Sequence, residues 1–455
     1  MSVLRVYHPR EPKKSPLWQI LNRHYEDFEK SYDERFEKKY GFFRPVIGEV
    51  VRSYLKCGDL KEGFARVRCN DCGYEFLLQF SCKVRCCCPS CQAKRAVLFG
   101  HHLTENVFYP VPHRQYVFTI PIMLRIYFKH DRSLLTRLCQ CAYKSLLIFL
   151  REVVGLKEGV PGVVMTIHTF GVSPEKFHPH LHAIVSDGLF KDTGTFYVMR
   201  DIELKPLEEL FRAEVFKMLK KEGKITEETV QKLLEWKHSG FNIDNGVRIS
   251  KDDKEGRESI AQYITRNVFN VEKITYIEGT GKVIYHTKLQ KGKNRKNFSV
   301  YTAEEFIAAI TQHIPKKSFP MTRYYGHYSN KSRGMRTKTE AIEIEDTDNK
   351  IISNEVEVID ISKYQPKKVP SLTWRECIKK IWKDDPLICP ECQSEMRIIS
   401  FIENPRIIKK ILKYLDLWEE ESSRDPPVQP ETPEEIVYVP IDDGWGQYET
   451  PGFVS

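Results

Sequence analysis

The spacing of hydrophobic and polar positions changes along the chain, and each spacing predicts a different element. Residues 15–56 carry apolar side chains at steps of three and four, which is typical of amphipathic helices. Two later stretches rich in β-branched and aromatic residues, RQYVFTIP (114–121) and GVVMTIHTFG (162–171), predict strands. Between these strands, residues 132–154 repeat apolar positions at helical spacing and predict one long helix.

The following part of the chain alternates between the same two kinds of spacing. Residues 207–223 and 258–268 predict helices, whereas residues 274–302 alternate around glycine turns and predict hairpins. Thr302 is followed three residues later by Glu305, which is the signature of a capping box at the start of a further helix. Strands and helices therefore mix along the chain, as expected of an α+β fold.

The charge is distributed unevenly over the chain. The net charge is +9, but residues 340–360 carry −7 and residues 419–455 carry −9, which leaves about +25 on the rest. Phosphate contacts supply much of the affinity of nucleic-acid binders, so a basic body with acidic segments favours a nucleic-acid partner. A solvated basic surface without a partner is the alternative.

No stretch of the sequence predicts a membrane segment. The longest apolar candidate, YKSLLIFLREVVGL, is interrupted by Arg151 and Glu152 and falls short of the roughly 18 residues that a span needs. The first residues lack an apolar run of signal-peptide length. We therefore expect a cytoplasmic, nucleoid-associated protein with no membrane partner.

Cysteines are concentrated in one part of the sequence. Eight of the 13 cysteines fall between Cys57 and Cys91, and in a cytoplasmic protein such clustering favours metal binding over disulfides. A C-x2-C-x15-C-x2-C spacing predicts a structural four-cysteine Zn²⁺ site, with Cys69, Cys72, Cys88 and Cys91 as ligands. Other cysteines are close enough to replace these ligands or to build a second site: Cys57, Cys82, Cys86 and Cys87.

Two further features accompany this cysteine cluster. The flanking residues are basic and could dock DNA, although a purely structural zinc staple is the alternative: Arg66, Arg68, Lys83, Arg85, Lys94 and Arg95. Near the C-terminal end, Cys389 and Cys392 form a second C-x2-C pair with only Cys377 nearby. This pair is either a lone knuckle that needs a distant partner or a relic without function.

Three of the 14 histidines occur at alternate positions in the stretch HPHLHAIV (178–185). In a strand, His178, His180 and His182 project from the same face, where neighbouring imidazoles can converge on one metal ion. His168 on the preceding strand is the nearest candidate for a further ligand. Imidazoles suit Mn²⁺ or Zn²⁺ better than Mg²⁺, and a site with open positions favours catalysis. The alternative is a polar strand face without a metal.

The order of these motifs resembles a known family. The strand FTIP, then His–apolar–His on a strand, then a helix with a tyrosine is the order of the HUH single-strand tyrosine nucleases. The chain is most similar to rolling-circle transposases of the insertion sequence 91 type. This resemblance runs from about residue 20 to 418. It is carried by GFARVRCNDCGYEFLLQFSCKVRCCCPSCQAKR, HTFG, HPHLHAIV, IAQYITRNV, VIYHTKLQKGKNRKNFSVYTAEEFIAAITQHIP, RYYGHYSN and DPLICPECQSEMRIISFIENP.

The resemblance implies roles for individual residues. It assigns His180 and His182 to a catalytic Mg²⁺ or Mn²⁺, for which His168 on the preceding strand stays the candidate third ligand, and it assigns the nucleophile to Tyr263, which would form a 5′-phosphotyrosine link. Members with two tyrosines carry the second one four residues earlier, where this chain has Ser259. Either Tyr263 acts in successive transfers or two subunits of a homodimer contribute one tyrosine each.

Basic and aromatic residues between 288 and 336 are candidates for holding single-stranded DNA. Between 291 and 338 there are eleven Lys or Arg residues against two Glu. Cations on the backbone and rings stacked on bases are typical of such sites, although a solvated hairpin and loop is the alternative. The candidates are Lys288, Lys291, Lys293, Arg295, Lys296, Arg323, Tyr324, Tyr325, Arg333 and Arg336.

Together these observations predict a transposase that nicks single-stranded DNA at the ends of its own element and transfers the strand to target DNA. A replication initiator or relaxase with the same chemistry and a non-catalytic zinc-dependent DNA-binding protein are the alternatives. The expected α+β fold divides into an N-terminal helical and zinc-binding, DNA-binding domain (1–105), an antiparallel-sheet HUH nuclease domain (106–338), an acidic linker (339–368), a small helical C-terminal unit (369–418) and an acidic disordered tail (419–455).

Overall fold

Helices and strands alternate throughout the part of the chain that the computed structural model describes, which comprises residues 11–191, 194–199, 203–236, 238–288, 297–336, 357–364, 366, 369–418 and 420. The strands are β1 Phe64–Cys69, β2 Glu75–Gln79, β3 His113–Thr119, β4 Gly162–Phe170, β5 Phe177–Ser186, β6 Gly188–Lys191, β7 Thr195–Val198, β8 Asn242–Asp244, β9 Arg248–Ile249, β10 Ile274–Ile277, β11 Lys282–His286, β12 Phe298–Thr302, β13 Thr322–Gly326, β14 Val358–Asp360 and β15 Met396–Ile402.

The α-helices of the same residues account for most of the remaining regular structure. They are α1 Pro16–Lys30, α2 Tyr32–Arg35, α3 Glu37–Tyr40, α4 Val46–Leu55, α5 Pro89–Asn106, α6 Arg125–His130, α7 Leu134–Val154, α8 Lys205–Lys221, α9 Glu227–Leu234, α10 Lys254–Tyr263, α11 Ala303–Thr311, α12 Asn330–Arg336, α13 Trp374–Trp382 and α14 Pro405–Tyr414. The predicted capping box is present at α11, where Thr302 and Glu305 each bind the other's backbone N–H. The predicted α+β class is confirmed.

The largest sheet is antiparallel and has the strand order β13-β4-β5-β3-β8, with β9 also paired to β3. Successive side chains of β4 and β5 alternate between its two faces. One face packs on a core with α7 and α8, to which Met165 and Ala183 belong. The other face packs on a core that includes parts of α5 and α10, to which Val164 and Ile184 belong. Even-numbered positions near the middle of β4 and β5 therefore face α5 and α10.

A second core joins the N-terminal helices to a segment far along the chain. Leu17, Leu21 and Phe28, which follow one another at steps of one and two helical turns on α1, are completely buried. They share one hydrophobic cluster with the sheet of β10, β11 and β12 and with α11. The hairpins predicted for residues 274–302 are present as this three-stranded sheet.

The C-terminal residues differ from the purely helical unit that the sequence predicts. Between α13 and α14 lies strand β15, which pairs antiparallel with β1 and extends the β1–β2 hairpin to three strands. Within the acidic linker, β14 pairs with β7, whereas residues 337–356 lie outside the described residues. Of the acidic tail, only residue 420 is described. No helix within the described ranges is both long and apolar enough to span a membrane.

The ends of β3, β5 and β9 are tied together by one buried carboxylate. Asp187 is 1% exposed, and it accepts hydrogen bonds from Nε of Arg114 at 2.9 Å and from Nε of Arg248 at 2.5 Å. Arg114 is itself 7% exposed, so its guanidinium is largely removed from water where it pairs with Asp187. Breaking a buried ion pair costs more than its formation gains, because the remaining charge stays desolvated.

We expect Asp187→Ala to lower the free energy of unfolding by about 3–5 kcal/mol. Urea denaturation followed by circular dichroism would measure the change. Glu228→Ala is the matched control, because Glu228 pairs with Lys232 on the exposed face of α9 and its loss should leave the midpoint nearly unchanged. Equal midpoints for Asp187→Ala and the wild type would contradict this account of the sheet.

Candidate functional site

Three buried histidines come together on the face of the central sheet that points towards α5 and α10. His168 lies on β4 directly opposite His180 on β5, and His182 follows two residues later on the same face. One ligand atom from each ring lies within 4.8 Å of the others. The structure thus brings together the three candidate ligands of the sequence, which we call the three-histidine group.

Hydrogen bonds to the backbone fix two of these rings. Nε2–H of His168 donates to the carbonyl of Ile264 at 2.7 Å, and Nδ1–H of His180 donates to the carbonyl of His178 at 2.8 Å. A neutral imidazole carries one N–H, so Nδ1 of His168 and Nε2 of His180 keep their lone pairs. Metal-binding histidines are typically oriented in this way by the second ring nitrogen.

The third ring is oriented by a side chain. Nδ1 of His182 lies 2.9 Å from Nε2 of the Gln115 carboxamide on β3. The oxygen and nitrogen of a carboxamide exchange places on a half-turn, so Gln115 can accept Nδ1–H and leave Nε2 of His182 as a lone pair. That Nε2 atom is buried and has no hydrogen-bond partner among the described residues. A divalent cation would satisfy it.

Burial also sets the charge of the group. Desolvation lowers the pKa of His168 and His182 well below the usual value, and it lowers the pKa of His180 to about 4. Neutral rings are the form that binds a metal. The donor set, the lone pairs and the protonation state therefore fit a divalent metal ion.

Tyr263 is the last residue of α10 and lies beside the three-histidine group. Its ring centroid is 5.7 Å from that of His182 in an edge-to-face arrangement. The next residue, Ile264, supplies the carbonyl that holds His168. The backbone after Tyr263 and the three-histidine group are thus linked by a hydrogen bond, which fixes the distance between the phenol and the imidazoles.

A cation accompanies the phenol. Nη1 of Arg266 donates to the hydroxyl of Tyr263 at 3.0 Å, and its guanidinium lies 4.5 Å from the centre of the Tyr263 ring. Arg266 is exposed, so the guanidinium can also reach a ligand. Arg266 is not among the site residues that the sequence predicts. Its position three residues after Tyr263 is the only signal that could have indicated it.

Helix α5 holds α10 in place. A Cβ atom at Gly100 would lie 2.8 Å from Cγ of Gln262 and 3.0 Å from the carbonyl oxygen of Glu258, so only glycine allows this approach of the two helices. Two residues beyond Tyr263, the carbonyl of Thr265 accepts a hydrogen bond from Nε2 of Gln92 on α5 at 2.6 Å. The position of Tyr263 therefore depends on α5.

An open cleft of about 1080 Å³ runs past these residues. Its walls include His180, Tyr263 and Arg266, together with Lys288 and with Lys380 of α13. The volume slightly exceeds the range of about 300–1,000 Å³ that is typical of small-molecule pockets. An open, basic cleft of this size suits a polymer better than a small metabolite.

The cysteines form two four-sulfur groups, and neither is the set predicted from the spacing. The hairpin-base cysteine group consists of Cys57, Cys82, Cys88 and Cys91. The hairpin-tip cysteine group consists of Cys69, Cys72, Cys389 and Cys392. In each group the sulfurs lie within 4.8 Å of one another.

The prediction that Cys69 and Cys72 share a site with Cys88 and Cys91 is therefore corrected by the structure. Cys69 and Cys72 lie at the turn between β1 and β2, whereas the hairpin-base cysteine group lies at the opposite end of these strands. Five paired residues separate the two ends, which at about 3.3 Å per residue corresponds to roughly 15 Å or more. No four-coordinate site can span that distance.

The predicted DNA-binding residues are not all available for DNA. Lys288 is exposed in the cleft, and Arg333 is half-buried on α12. Tyr324 and Tyr325 of the edge strand β13 pack against the two cores on opposite faces of the sheet. The ring of Tyr325 stacks on that of Tyr143, with 4.9 Å between the ring centroids, so neither tyrosine presents a free ring to DNA bases. The other residues of this prediction lie outside the described residues: Lys291, Lys293, Arg295 and Lys296.

Two arginines of the same prediction make internal contacts. Arg323 donates through Nη2 to the hydroxyl of Thr136 at 2.8 Å. Arg336 donates through Nη2 to the carbonyl of His327 at 2.7 Å. Both guanidiniums thus stabilise the packing of β13 and α12, whereas the sequence predicts them only as DNA-binding groups.

Comparison with known proteins gives two family matches. Residues 20–120 match a family described as "Transposase zinc-binding domain", which covers the hairpin-base cysteine group. Residues 162–335 match a family described as "Putative transposase", which covers the three-histidine group and Tyr263. No solved structure matches the chain.

Two named relatives extend over most of the chain. The transposase for insertion sequence element IS801 of Pseudomonas savastanoi pv. phaseolicola is 24% identical over 318 residues, which is 65% of this chain and 73% of the relative. The "Putative transposase y4qJ" of Sinorhizobium fredii is 22% identical over 331 residues, 68% of this chain and 80% of the relative. With its zinc-binding and transposase regions in this order, the chain belongs to the insertion sequence 91 family of transposases.

Proposed function

We propose that this transposase nicks single-stranded DNA at the ends of its own element and transfers the strand through a 5′-phosphotyrosine on Tyr263. The observation that carries the proposal is the placement of the Tyr263 phenol against the three-histidine group, with Arg266 on its hydroxyl. A nucleophile, a cation and a group of neutral metal ligands are the parts that phosphoryl transfer requires.

The three-histidine group would hold Mg²⁺ or Mn²⁺ through Nδ1 of His168, Nε2 of His180 and Nε2 of His182. When bound, such an ion acts as a Lewis acid that polarises the scissile phosphate and neutralises its charge. Three imidazoles suit Mn²⁺ better than Mg²⁺, which prefers oxygen ligands and water.

The chemistry at the tyrosine follows from its surroundings. The phenolic oxygen of Tyr263 forms a bond to the phosphorus and gives up its proton. The bond from phosphorus to the 3′ oxygen breaks, and that oxygen leaves as a protonated 3′-OH. Arg266 stabilises the phenolate that develops and the charge on the phosphate. The covalent link keeps the energy of the phosphodiester, so the reverse attack by a 3′-OH rejoins DNA without ATP.

We propose that the hairpin-base cysteine group holds a structural Zn²⁺. Its sulfur–sulfur distances of 3.6–3.9 Å match the edge of about 3.8 Å expected for a tetrahedron with Zn–S bonds of about 2.3 Å. Cys88 and Cys91 lie at the start of α5, the helix that positions α10. Zinc would thus fix the end of a helix on which the placement of Tyr263 depends.

The decisive experiment is a cleavage assay on single-stranded oligonucleotides that span the element ends, with Mn²⁺ or Mg²⁺. We expect a covalent protein–DNA adduct, and peptide mass spectrometry should locate it on Tyr263. DNA binding without an adduct on any tyrosine would instead support the non-catalytic alternative. Cleavage at a replication or transfer origin and not at element ends would support an initiator or relaxase.

With Tyr263 as the nucleophilic tyrosine of each chain, a complete transfer can follow two routes. Ser259 lines the cleft one helical turn before Tyr263, at the position of the second tyrosine of two-tyrosine members. We propose that a homodimer contributes two tyrosines. Chromatography with light scattering on the DNA complex tests this, and a strictly monomeric complex that completes transfer would favour successive use of Tyr263.

The close approach of α5 and α10 leads to a further prediction. We expect Gly100→Ala to lower the cleavage rate about tenfold, because the added methyl group must push α10 away by a few tenths of an ångström and small displacements of reacting groups slow catalysis. Single-turnover cleavage measures the effect. Gly279→Ala, whose methyl group would meet no atom within 4 Å, should cleave like the wild type.

A further inference from the structure

We propose that the hairpin-tip cysteine group binds a second structural Zn²⁺, and that this ion joins the N-terminal zinc-binding region to the C-terminal segment. Its members come from two C-x2-C pairs, and Cys72 and Cys389 are 317 residues apart in the sequence. The matched zinc-binding family ends at residue 120 and so does not include Cys389 or Cys392. The site would therefore be split between the two ends of the described chain.

The sulfur geometry supports a metal and not a disulfide. Sγ of Cys69 lies 3.5 Å from Sγ of Cys392, and Sγ of Cys72 lies 3.4 Å from Sγ of Cys389. These distances are near the edge of about 3.8 Å of a zinc–thiolate tetrahedron. They are far from the S–S bond length of about 2.05 Å. The hairpin-base cysteine group, inside the matched zinc-binding domain, shows the same spacing.

The two C-x2-C turns have the same backbone conformation although their sequences differ. In the first, the N–H of Cys69 donates to the carbonyl of Tyr74 and the N–H of Gly73 donates to the carbonyl of Cys69. In the second, the N–H of Cys389 donates to the carbonyl of Ser394, and the N–H of Gln393 donates to the carbonyl of Cys389.

The residue after the second cysteine of each turn is left-handed, with φ of +79° at Gly73 and +66° at Gln393. A side chain in that conformation costs about 1–2 kcal/mol, so the turn at Gln393 needs a compensating interaction. Two matching knuckles that face each other with four converging thiols are the arrangement of a zinc ribbon.

The strands next to the two knuckles place them together. β1 ends at Cys69 and β15 begins at Met396, and these two residues are paired across the strands. Val67, Cys69, Cys389 and Met396 form a small buried cluster of their own. The β1–β15 pairing and this cluster hold the two segments together, and a structural zinc site would add on the order of 10 kcal/mol to their association.

The C-terminal segment reaches the candidate active site. Helix α13 packs against α5, and Nζ of Lys380 lies 2.5 Å from Oε1 of Glu258 on α10. Lys380 and Trp382 also line the cleft beside Tyr263. The split zinc site would hold this wall of the cleft in position. This consequence rests on the proposed function, whereas the presence of the zinc does not.

Counting zinc per chain by native mass spectrometry tests the site. We expect Cys389→Ser/Cys392→Ser to contain one zinc ion fewer than the wild type, and Cys69→Ser/Cys72→Ser to lose the same number. Combining all four substitutions should lose no further ion, because both pairs share one site. Cys377→Ser is the matched control, since Cys377 is buried on α13 but belongs to neither four-sulfur group of the described residues. A wild-type zinc count in Cys389→Ser/Cys392→Ser overturns the proposal.

Hydrogen exchange reports the structural consequence without any activity. In Cys389→Ser/Cys392→Ser, the amides of β15 should exchange at least tenfold faster than in Cys377→Ser, while those of β4 and β5 stay protected. Unchanged protection of β15 would refute the claim that zinc joins the two segments. Failure of the proposed nuclease function would appear separately, as a missing adduct on Tyr263 in a protein with its full zinc content.

Discussion

Tyr263→Phe should lose the covalent protein–DNA adduct and should cleave single-stranded DNA at least about 10³-fold more slowly than the wild type. The substitution removes only the attacking oxygen. The phenyl ring can keep its place 5.7 Å from His182 and 4.5 Å from the Arg266 guanidinium. The fold and the DNA affinity should therefore be unchanged, since phosphate contacts dominate that affinity.

Denaturing gel analysis of labelled oligonucleotides measures the adduct, and fluorescence anisotropy measures binding. The control is Tyr285→Phe, because Tyr285 lines the same cleft but its hydroxyl accepts a hydrogen bond from the backbone N–H of Asn270. This variant should still form the adduct. If Tyr263→Phe formed a normal amount of adduct, the nucleophile would have to be another tyrosine.

The features of the fold that depend on local periodicity were predictable from the sequence. The long helix expected at 132–154 is present as α7, and the strand expected at 162–171 is present as β4. Alternation on neighbouring strands also predicted that His168, His180 and His182 meet. Each of these depends on residues close in the sequence or on adjacent antiparallel strands, for which spacing carries the information.

The pairing of the cysteines could not be derived in this way. Cys69 and Cys72 have the spacing of a knuckle, but a knuckle does not specify its partner. Spacing favoured Cys88 and Cys91 because they are near in the sequence, whereas pairing of β1 with β15 brings Cys389 and Cys392 to the same place. Pairing between strands that are distant in the sequence depends on the whole fold, so a local motif cannot predict it.

The DNA-binding prediction shows a similar limit. Basic and aromatic residues at 323–336 are compatible with a stacking surface, but the same composition also suits an edge strand that packs on two cores. Tyr325 stacks on Tyr143 because β13 covers β4, a pairing that no local pattern reveals. Composition indicated the class of partner and did not identify which side chains remain available.

The described contacts also connect the zinc-binding region to the helix that carries Tyr263. Helix α5 begins at the hairpin-base cysteine group and then contacts α10 at Gly100 and the residues after it through Gln92. α13 packs on the same helix. Loss of metal from the hairpin-base cysteine group should therefore reduce cleavage, because α5 would no longer be anchored beside Tyr263, although no cysteine is among the described residues that line the cleft.

His180→Ala should weaken the binding of Mn²⁺ by more than about 100-fold and slow cleavage by about 10²–10⁴-fold. His180 offers Nε2 to the cleft while Nδ1–H is held by the carbonyl of His178. Removal of the ring deletes one of three neutral donors, and the remaining two cannot hold a divalent ion as firmly. Electron paramagnetic resonance of free Mn²⁺ measures the affinity, and a melting curve in chelator checks the fold.

The matched control is His178→Ala, because His178 lies two residues away on the same strand and its ring is outside the three-histidine group. The backbone carbonyl that orients His180 survives this substitution, so Mn²⁺ affinity should stay within about tenfold of the wild type. Two outcomes separate the possible ligand sets. Loss of metal only in His180→Ala supports the three-histidine group, whereas equal loss in both variants would mean that His178 belongs to the metal site and that His168 does not complete it.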